Sequence, residues 1–189
     1  AWPTGEALPT ATFLNFARGQ NITNTGAVKL GQPSGQMTVR SYDAQVHYVI
    51  DVQGYYTDGS VPVAEGSVYV PITPCRLVDT RSKGGELQAN EQRSYRVSGT
   101  GSAFAGQGGK ANGCGVPEGA TAIEGSVTAV LPKANGFFRA WPTDEAAPTA
   151  TFLNYTRSQN VTNTGAIKIA TTGTSHLTVR NFTARSHYV

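Results

Sequence analysis

The chain has 189 residues, of which only 14% are charged, with 15 Lys and Arg against 12 Asp and Glu. This length can bury a core of its own. The basic residues are scattered, which predicts no nucleic-acid partner, and no apolar run approaches the roughly 18 residues of a membrane span.

In chain order, short apolar runs alternate with polar residues and are separated by Gly, Pro and Asn. This period of two predicts an all-β fold of antiparallel strands. Asn-Thr-Gly at residues 24–26 and 163–165 is interpreted as a turn, and the Gly-rich tract 99–115 as a surface loop. The predicted strands cover residues 10–15, 27–30, 37–42, 45–56, 68–72, 76–79, 93–97, 122–131, 136–141, 149–154, 166–170, 176–182 and 187 onward.

An internal repeat is the strongest signal in the sequence. The opening AWPTGEALPTATFLNFARGQNITNTGAVKL returns from residue 140 as AWPTDEAAPTATFLNYTRSQNVTNTGAIKI, so that Trp2 corresponds to Trp141. After a one-residue insertion, residues 37–40 match 177–180 and residues 47–49 match 187–189. Exchanges such as Phe16 for Tyr155 keep apolar volume at alternating positions, so the repeat preserves packing.

The repeat divides the chain into one and a half modules. Residues 1–59 are interpreted as the C-terminal half of one module, 60–66 as a linker, and 67–189 as a second module that lacks its last strand. A full unit of about nine strands suits a β-sandwich of jelly-roll type. We expect both parts to be completed by a longer parent chain, by a strand from a neighbouring subunit, or by each other as in a permuted fold.

Three segments carry a resemblance to a known family. They are VPITPCRLVDTR at residues 70–81, PTATFLN at 148–154 and VIDVQGYY at 49–56. The chain resembles a β module that recurs, often in tandem, in secreted and cell-surface proteins of actinobacteria and related bacteria. The resemblance implies a place at the cell exterior and brings no catalytic residues with it.

Cys75 and Cys114 have no CxxC spacing and no neighbouring His, which favours a disulfide over a zinc site. Such a cross-link is worth about 3 to 4 kcal/mol by loop entropy, and two buried free thiols are the alternative. Four sequons fit N-x-[ST] and are candidate glycosylation sites of a secreted chain; they are Asn21, Asn154, Asn160 and Asn181.

Candidates for chemistry are few, and the sequence predicts neither an enzyme nor a cofactor. Asp79 lies between Arg76 and Arg81 and is interpreted as a fixed ion pair. A Ca²⁺ site at Asp51 or Asp79 is the alternative, although it lacks the usual cluster of carboxylates. The remaining candidates are three histidines in strands, interpreted as structural: His47 and His187 at one repeat position, and the unmatched His176.

Four aromatic residues are candidates for either a glycan contact or an interface between modules: Trp2, Trp141, Tyr55 and Tyr56. The leading hypothesis is a structural repeat module of an extracellular bacterial surface protein or filament, whose partner is another copy or a neighbouring module. The alternative is a carbohydrate-binding accessory module of an exported hydrolase, with cell-surface glycans as partners.

Overall fold

The computed structural model describes residues 1–42, 45–56 and 66–189. Of the predicted linker, only Gly66 lies within these ranges. Short strands and one helical turn make up the regular structure of the described residues. In chain order they are β1 (Trp2–Pro3), β2 (Met37–Thr38), β3 (Gln92–Tyr95), α1 (Ala103–Gly106), β4 (Ala122–Val130), β5 (Gly136–Pro142), β6 (Leu153–Tyr155), β7 (Val161–Lys168), β8 (Leu177–Phe182) and β9 (His187–Tyr188).

The strands form antiparallel sheets, which confirms the all-β prediction. One sheet has the order β3-β8-β5-β6, a second has the order β7-β4-β9, and β1 pairs with β2. The two larger sheets lie wholly within residues 92–188, so that the second copy contains most of the regular structure.

Both larger sheets contribute to one hydrophobic core. Phe138 of β5, Leu153 of β6 and Val179 of β8 come from the four-stranded sheet, while Val127 of β4 and Tyr188 of β9 come from the other. At about 25 cal/mol per Å² of buried apolar surface, this shared core is the main stabilising term of the fold. Each sheet therefore depends on the other to cover its apolar face.

The longest ladder joins β4 to β7, from the pair Ala122–Lys168 to the pair Ala129–Val161. Side chains of β7 alternate between buried and exposed along its whole length, as expected for a strand with one covered face.

The predicted turn at residues 163–165 is wrong, because this segment lies inside β7. Asn163 is buried there, and its side-chain amide donates to the Phe152 carbonyl over 2.7 Å.

Several predicted strands form no ladder in the described chain. Residues 10–15, 27–30, 45–56, 68–72 and 76–79 have no strand assignment. Their alternating pattern is intact, but a strand needs hydrogen-bonding partners as well as a pattern.

Inside the predicted surface loop, a single turn of helix, α1, buries Phe104.

Several local contacts are the same in the two copies. The pair Trp2–Thr38 of the β1–β2 ladder repeats the pair Trp141–Thr178 of the β5–β8 ladder. Asn24 donates to the Phe13 carbonyl over 2.7 Å, as Asn163 does to Phe152. Lys29 is paired with Glu6 as Lys168 is with Glu145. The repeated sequence therefore specifies repeated hydrogen bonds.

The predicted disulfide is confirmed. Cys75 and Cys114 are bonded, with their Cα atoms 5.6 Å apart, and no free cysteine remains. The bond fastens the end of the Gly-rich loop to the segment before Val78, a core residue. The loop is thereby held against the core although it contains little regular structure.

Substitutions at Tyr155 and at its counterpart Phe16 compare a buried and an exposed environment at the same repeat position. The Tyr155 hydroxyl lies 2.5 Å from Asn181 Oδ1 and 2.9 Å from the Phe182 carbonyl, and burial raises the pKa of Tyr155 to about 12. We expect Tyr155→Phe to lower the free energy of unfolding by about 1 to 3 kcal/mol, because the buried Asn181 loses a hydrogen-bond partner. Phe16→Tyr, at an exposed position, should change it by less than about 0.5 kcal/mol. Urea unfolding measures both, and equal losses would contradict the assignment.

Candidate functional site

The first copy exposes the apolar positions that the second copy buries. Phe13 is 37% exposed and its counterpart Phe152 only 3%. Tyr48 is 66% exposed and its counterpart Tyr188 only 2%. The side chains are the same or similar, so the difference lies in what covers them. In the second copy the cover comes from β3, β4 and the residues before them.

Two further segments, residues 45–56 and 66–72, also expose large apolar side chains. Val49, Val52 and Tyr56 are 86%, 81% and 90% exposed. Large apolar side chains scattered singly on a surface are ordinary, whereas this many in one stretch of chain make it a candidate interaction surface. The segment of residues 45–56 contains the VIDVQGYY motif.

Polar hydrogen bonds connect the first copy to the second. Thr23 Oγ1 accepts from both the backbone and the side-chain amide of Asn154, over 3.1 and 2.7 Å. Thr25 Oγ1 accepts from the Asn163 side chain over 2.6 Å. Asp51 Oδ2 accepts from the Thr151 backbone amide over 2.9 Å. These contacts all lie along β6, β7 and the residue pair before β6.

Asp79 is held in an ion pair, as the sequence predicts. Its carboxylate accepts from the Arg81 side chain over 2.9 and 2.7 Å, and Arg76 lies 3.4 Å away. The hydrogen bond from Arg81 is the main cause that lowers the pKa of Asp79 from 3.8 to about 2. Both carboxylate oxygens are thus engaged by arginine, which leaves the group poorly placed to bind Ca²⁺.

The other Ca²⁺ candidate, Asp51, is exposed and bonded to the Thr151 amide. Within residues 1–42, 45–56 and 66–189, no cluster of three or more His, Cys, Asp or Glu side chains could hold a metal ion. The structure therefore gives no support to the calcium alternative.

His176 is buried and connects β3 to the segment before β8. Its Nδ1 accepts from the backbone amides of Val97 and Ser98 over 3.1 and 3.2 Å, so the proton is on Nε2, 3.2 Å from the Gly173 carbonyl. The sequence predicts a structural role for His176, whose counterpart in the first copy is Gln36. That mismatch in an otherwise close repeat was the available signal.

The other two histidines occupy different surroundings despite their common repeat position. His187 is half-buried in β9, with Nδ1 3.2 Å from the Thr80 hydroxyl and Nε2 3.9 Å from Glu86. His47 is exposed. Both contacts of His187, Thr80 and Glu86, thus lie before β3, in the segment that covers the core of the second copy.

The four sequons differ in accessibility. Asn21 and Asn160 are exposed. Asn154 is half-buried and bonded to Thr23. Asn181 is fully buried, and its amide donates to the carbonyls of residues 87, 88 and 184. A glycan on Asn181 would require this side chain to leave the core.

The candidate aromatic residues do not form one row. Trp141 is buried with the core residues, so it presents no face to a sugar. Trp2 is half-buried, and its indole donates to the Glu6 carbonyl over 3.2 Å. Tyr55 and Tyr56 remain exposed. The structure therefore does not bring the four aromatic residues together as a glycan-binding surface.

Searches against protein-family models, curated proteins and solved structures found no match to this chain. The resemblance carried by residues 49–56, 70–81 and 148–154 accordingly remains a prediction. In the described parts of the chain, no helix has the length and hydropathy needed to cross a bilayer.

Acidification tests the Asp79 ion pair. A carboxyl whose pKa falls from 3.8 to about 2 on folding contributes stability above pH 4 that is lost as the pH falls toward 2. We expect Asp79→Asn to be less stable than the native chain at pH 7 and to lose less stability between pH 4 and 2. Arg81→Lys, which keeps the charge but not the paired N–H donors, should fall between them. Parallel pH–stability curves for all three proteins would contradict this role.

A pair of substitutions tests His176 as a hydrogen-bond acceptor. His176→Ala leaves two buried backbone amides without a partner and should lower the free energy of unfolding by about 1 to 3 kcal/mol. His176→Gln introduces the residue found at the equivalent position 36 and retains an acceptor, so we expect a smaller loss. Chemical denaturation measures both, and identical losses would show that the acceptor is unimportant.

Proposed function

We propose that this chain is a structural β module of an extracellular bacterial surface protein or filament, and that it works by association with further copies of the same module. The observation that carries the proposal is the contrast between equivalent residues. Phe152, Tyr155 and Tyr188 are buried, while Phe13, Phe16 and Tyr48 are exposed. A first copy with correct local hydrogen bonds and an uncovered apolar face is suited to receive the covering half from elsewhere.

The architecture proposed for a complete unit is a β-sandwich of jelly-roll type. Its support is that two antiparallel sheets share one core within residues 67–189. A closing strand of the kind found at residues 50–56 would enlarge the three-stranded sheet. We propose that such units are linked in tandem or through exchanged strands.

The proposed location outside the cell is supported by the Cys75–Cys114 disulfide, since such bonds persist mainly in oxidising compartments. Exposed sequons at Asn21 and Asn160 are compatible with it. The sequence resemblance to secreted modules implies the same place.

Carbohydrate binding is the second candidate, and the exposed pair Tyr55 and Tyr56 favours it. These rings are free to stack on sugars. The pair also belongs to the VIDVQGYY segment, and assembly through this segment would explain its exposed tyrosines without a sugar ligand. We therefore rank carbohydrate binding below assembly.

A chain extended after Val189 by the sequence IDVQGYY tests the proposal. We expect the native sequence to self-associate with rising concentration and the extended chain to shift toward monomer, because the added strand occupies the place that another copy would fill. Sedimentation velocity over a range of concentrations measures the difference.

The matched control is an extension of equal length in which the Ile and Val are replaced by Asp. This extension should leave self-association unchanged. Monomeric behaviour of the unextended chain at every concentration would overturn the proposal.

A further inference from the structure

Strand β4 has one edge that is only partly paired. The backbone amides and carbonyls of its odd-numbered residues point toward β7. In that ladder Ile123 pairs with Ile167 and Gly125 with Gly165. On the other edge, β9 pairs with Ala129 and Val130. Thr128 exchanges two backbone hydrogen bonds with Val189, over 2.8 and 3.1 Å.

The remainder of this second edge has no strand beside it in the described chain. Because backbone groups of alternate residues point to opposite sides of a strand, the amides and carbonyls of Ala122, Glu124 and Ser126 face the same side as those of Thr128. All three residues are exposed. Unpaired edges of this kind are templates for another strand.

We propose that this edge, residues 122–127, is the acceptor site for residues 50–56 of a second copy of the chain; the inference rests on the proposed assembly function and adds its site and register. Val49 is the repeat counterpart of Val189, so residue 50 is the natural continuation of the β9 ladder. Continuing that ladder end to end places Ile50 opposite Val127, Asp51 opposite Ser126, Val52 opposite Gly125, Gln53 opposite Glu124, Gly54 opposite Ile123 and Tyr55 opposite Ala122.

The side chains agree with this register. Opposed residues of an antiparallel pair point to the same face, and Val127 points into the core. Ile50 and Val52 would therefore face the core, where Gly125 leaves space beside Val52. Asp51 would face solvent next to Ser126. A slip of one residue would reverse this pattern and bury the Asp51 carboxylate.

Contacts already made by residues 45–56 favour a second copy over the same chain as the donor. Asp51 is bonded to Thr151, beside β6, and the neighbouring segment of the first copy is bonded to Asn163 of β7. Within this chain Asp51 is therefore bonded at residue 151 rather than opposite Ser126, so residues 50–56 of the same chain do not occupy the β4 edge.

The opening segment of the second copy also approaches β4. Ser67 and Thr121 have their hydroxyl oxygens 3.0 Å apart. Residues 68–72 nevertheless belong to no strand and remain exposed. Residues 68–72 therefore form no ladder with residues 122–127 in the described chain. A donor and an acceptor at different places on each copy make a head-to-tail contact, which generates an open polymer unless the ends meet in a ring.

Cysteine cross-linking of full-length chains tests the site and its register. The native disulfide leaves no other thiol to interfere. Asp51→Cys chains mixed with Ser126→Cys chains, and Gln53→Cys with Glu124→Cys, place thiols on opposed residues. Asp51→Cys mixed with Ala122→Cys is the matched control, four residues out of register. We expect the two opposed pairs to give disulfide-linked dimers several-fold faster than the control pair.

Each outcome has a definite meaning. Equal rates for all three pairs, in a protein that still self-associates, would overturn the register and leave the proposed function standing. Absence of self-association would overturn both. A chain carrying both Asp51→Cys and Ser126→Cys that closes its bond as a monomer at high dilution would show that the same chain is the donor, against the inference.

A peptide with the sequence of residues 46–56 provides an independent readout. If it occupies the β4 edge, it should lower the yield of the Asp51–Ser126 cross-link several-fold. A peptide of the same length with Ile50→Asp should have no effect, because Ile50 must face the core. Equal effects of the two peptides would overturn the inference.

Discussion

The fold depends on one constraint: each half of the module buries its apolar face only against the other half. Leu153 and Tyr155 are buried because Val127 and the residues before β4 lie across from them. Hydrogen bonds alone do not provide this cover, since the first copy forms the equivalent local bonds and still exposes Phe16. Net hydrogen-bond contributions of about 1 kcal/mol each are small beside the burial of such side chains. The hydrophobic core therefore requires a covering half, and this requirement is what the proposed association of copies would meet.

Features encoded within a few residues could be predicted from the sequence. Alternation located β3, β4, β5 and β8 of the second copy, and the Asp79 ion pair and the disulfide followed from residue types and spacing. Features that depend on distant partners could not. The pattern of residues 10–15 is that of a strand, but these residues form no ladder in the described chain. Asn163, Thr164 and Gly165 have turn chemistry, yet the amide of Asn163 is used to bind the Phe152 carbonyl in mid-strand. The sequence makes Trp141 a candidate surface contact, but packing against distant residues buries it.

The β4 edge proposed as an acceptor differs from the rest of the surface because a strand added there must match both its backbone hydrogen bonds and its apolar side chains. At the β4 edge, unpaired backbone groups set the direction and spacing of any added strand. The alternation of Ile50, Asp51 and Val52 then selects one register among those that the backbone would accept. Backbone pairing without side-chain selection would favour indiscriminate aggregation. If residues 50–56 are the donor, as proposed, their sequence restricts this edge to one kind of partner.

The Cys75–Cys114 bond acquires a mechanical meaning if copies are linked end to end. Tension applied at the two ends of a chain unravels it segment by segment, and a loop of 39 residues would release about 130 Å when fully extended. The covalent bond withholds that length, because force passes from residue 75 to residue 114 through the sulfur atoms. The Gly-rich loop and strand β3 thus stay unloaded, and an array of such chains would resist stretching while its noncovalent contacts re-form.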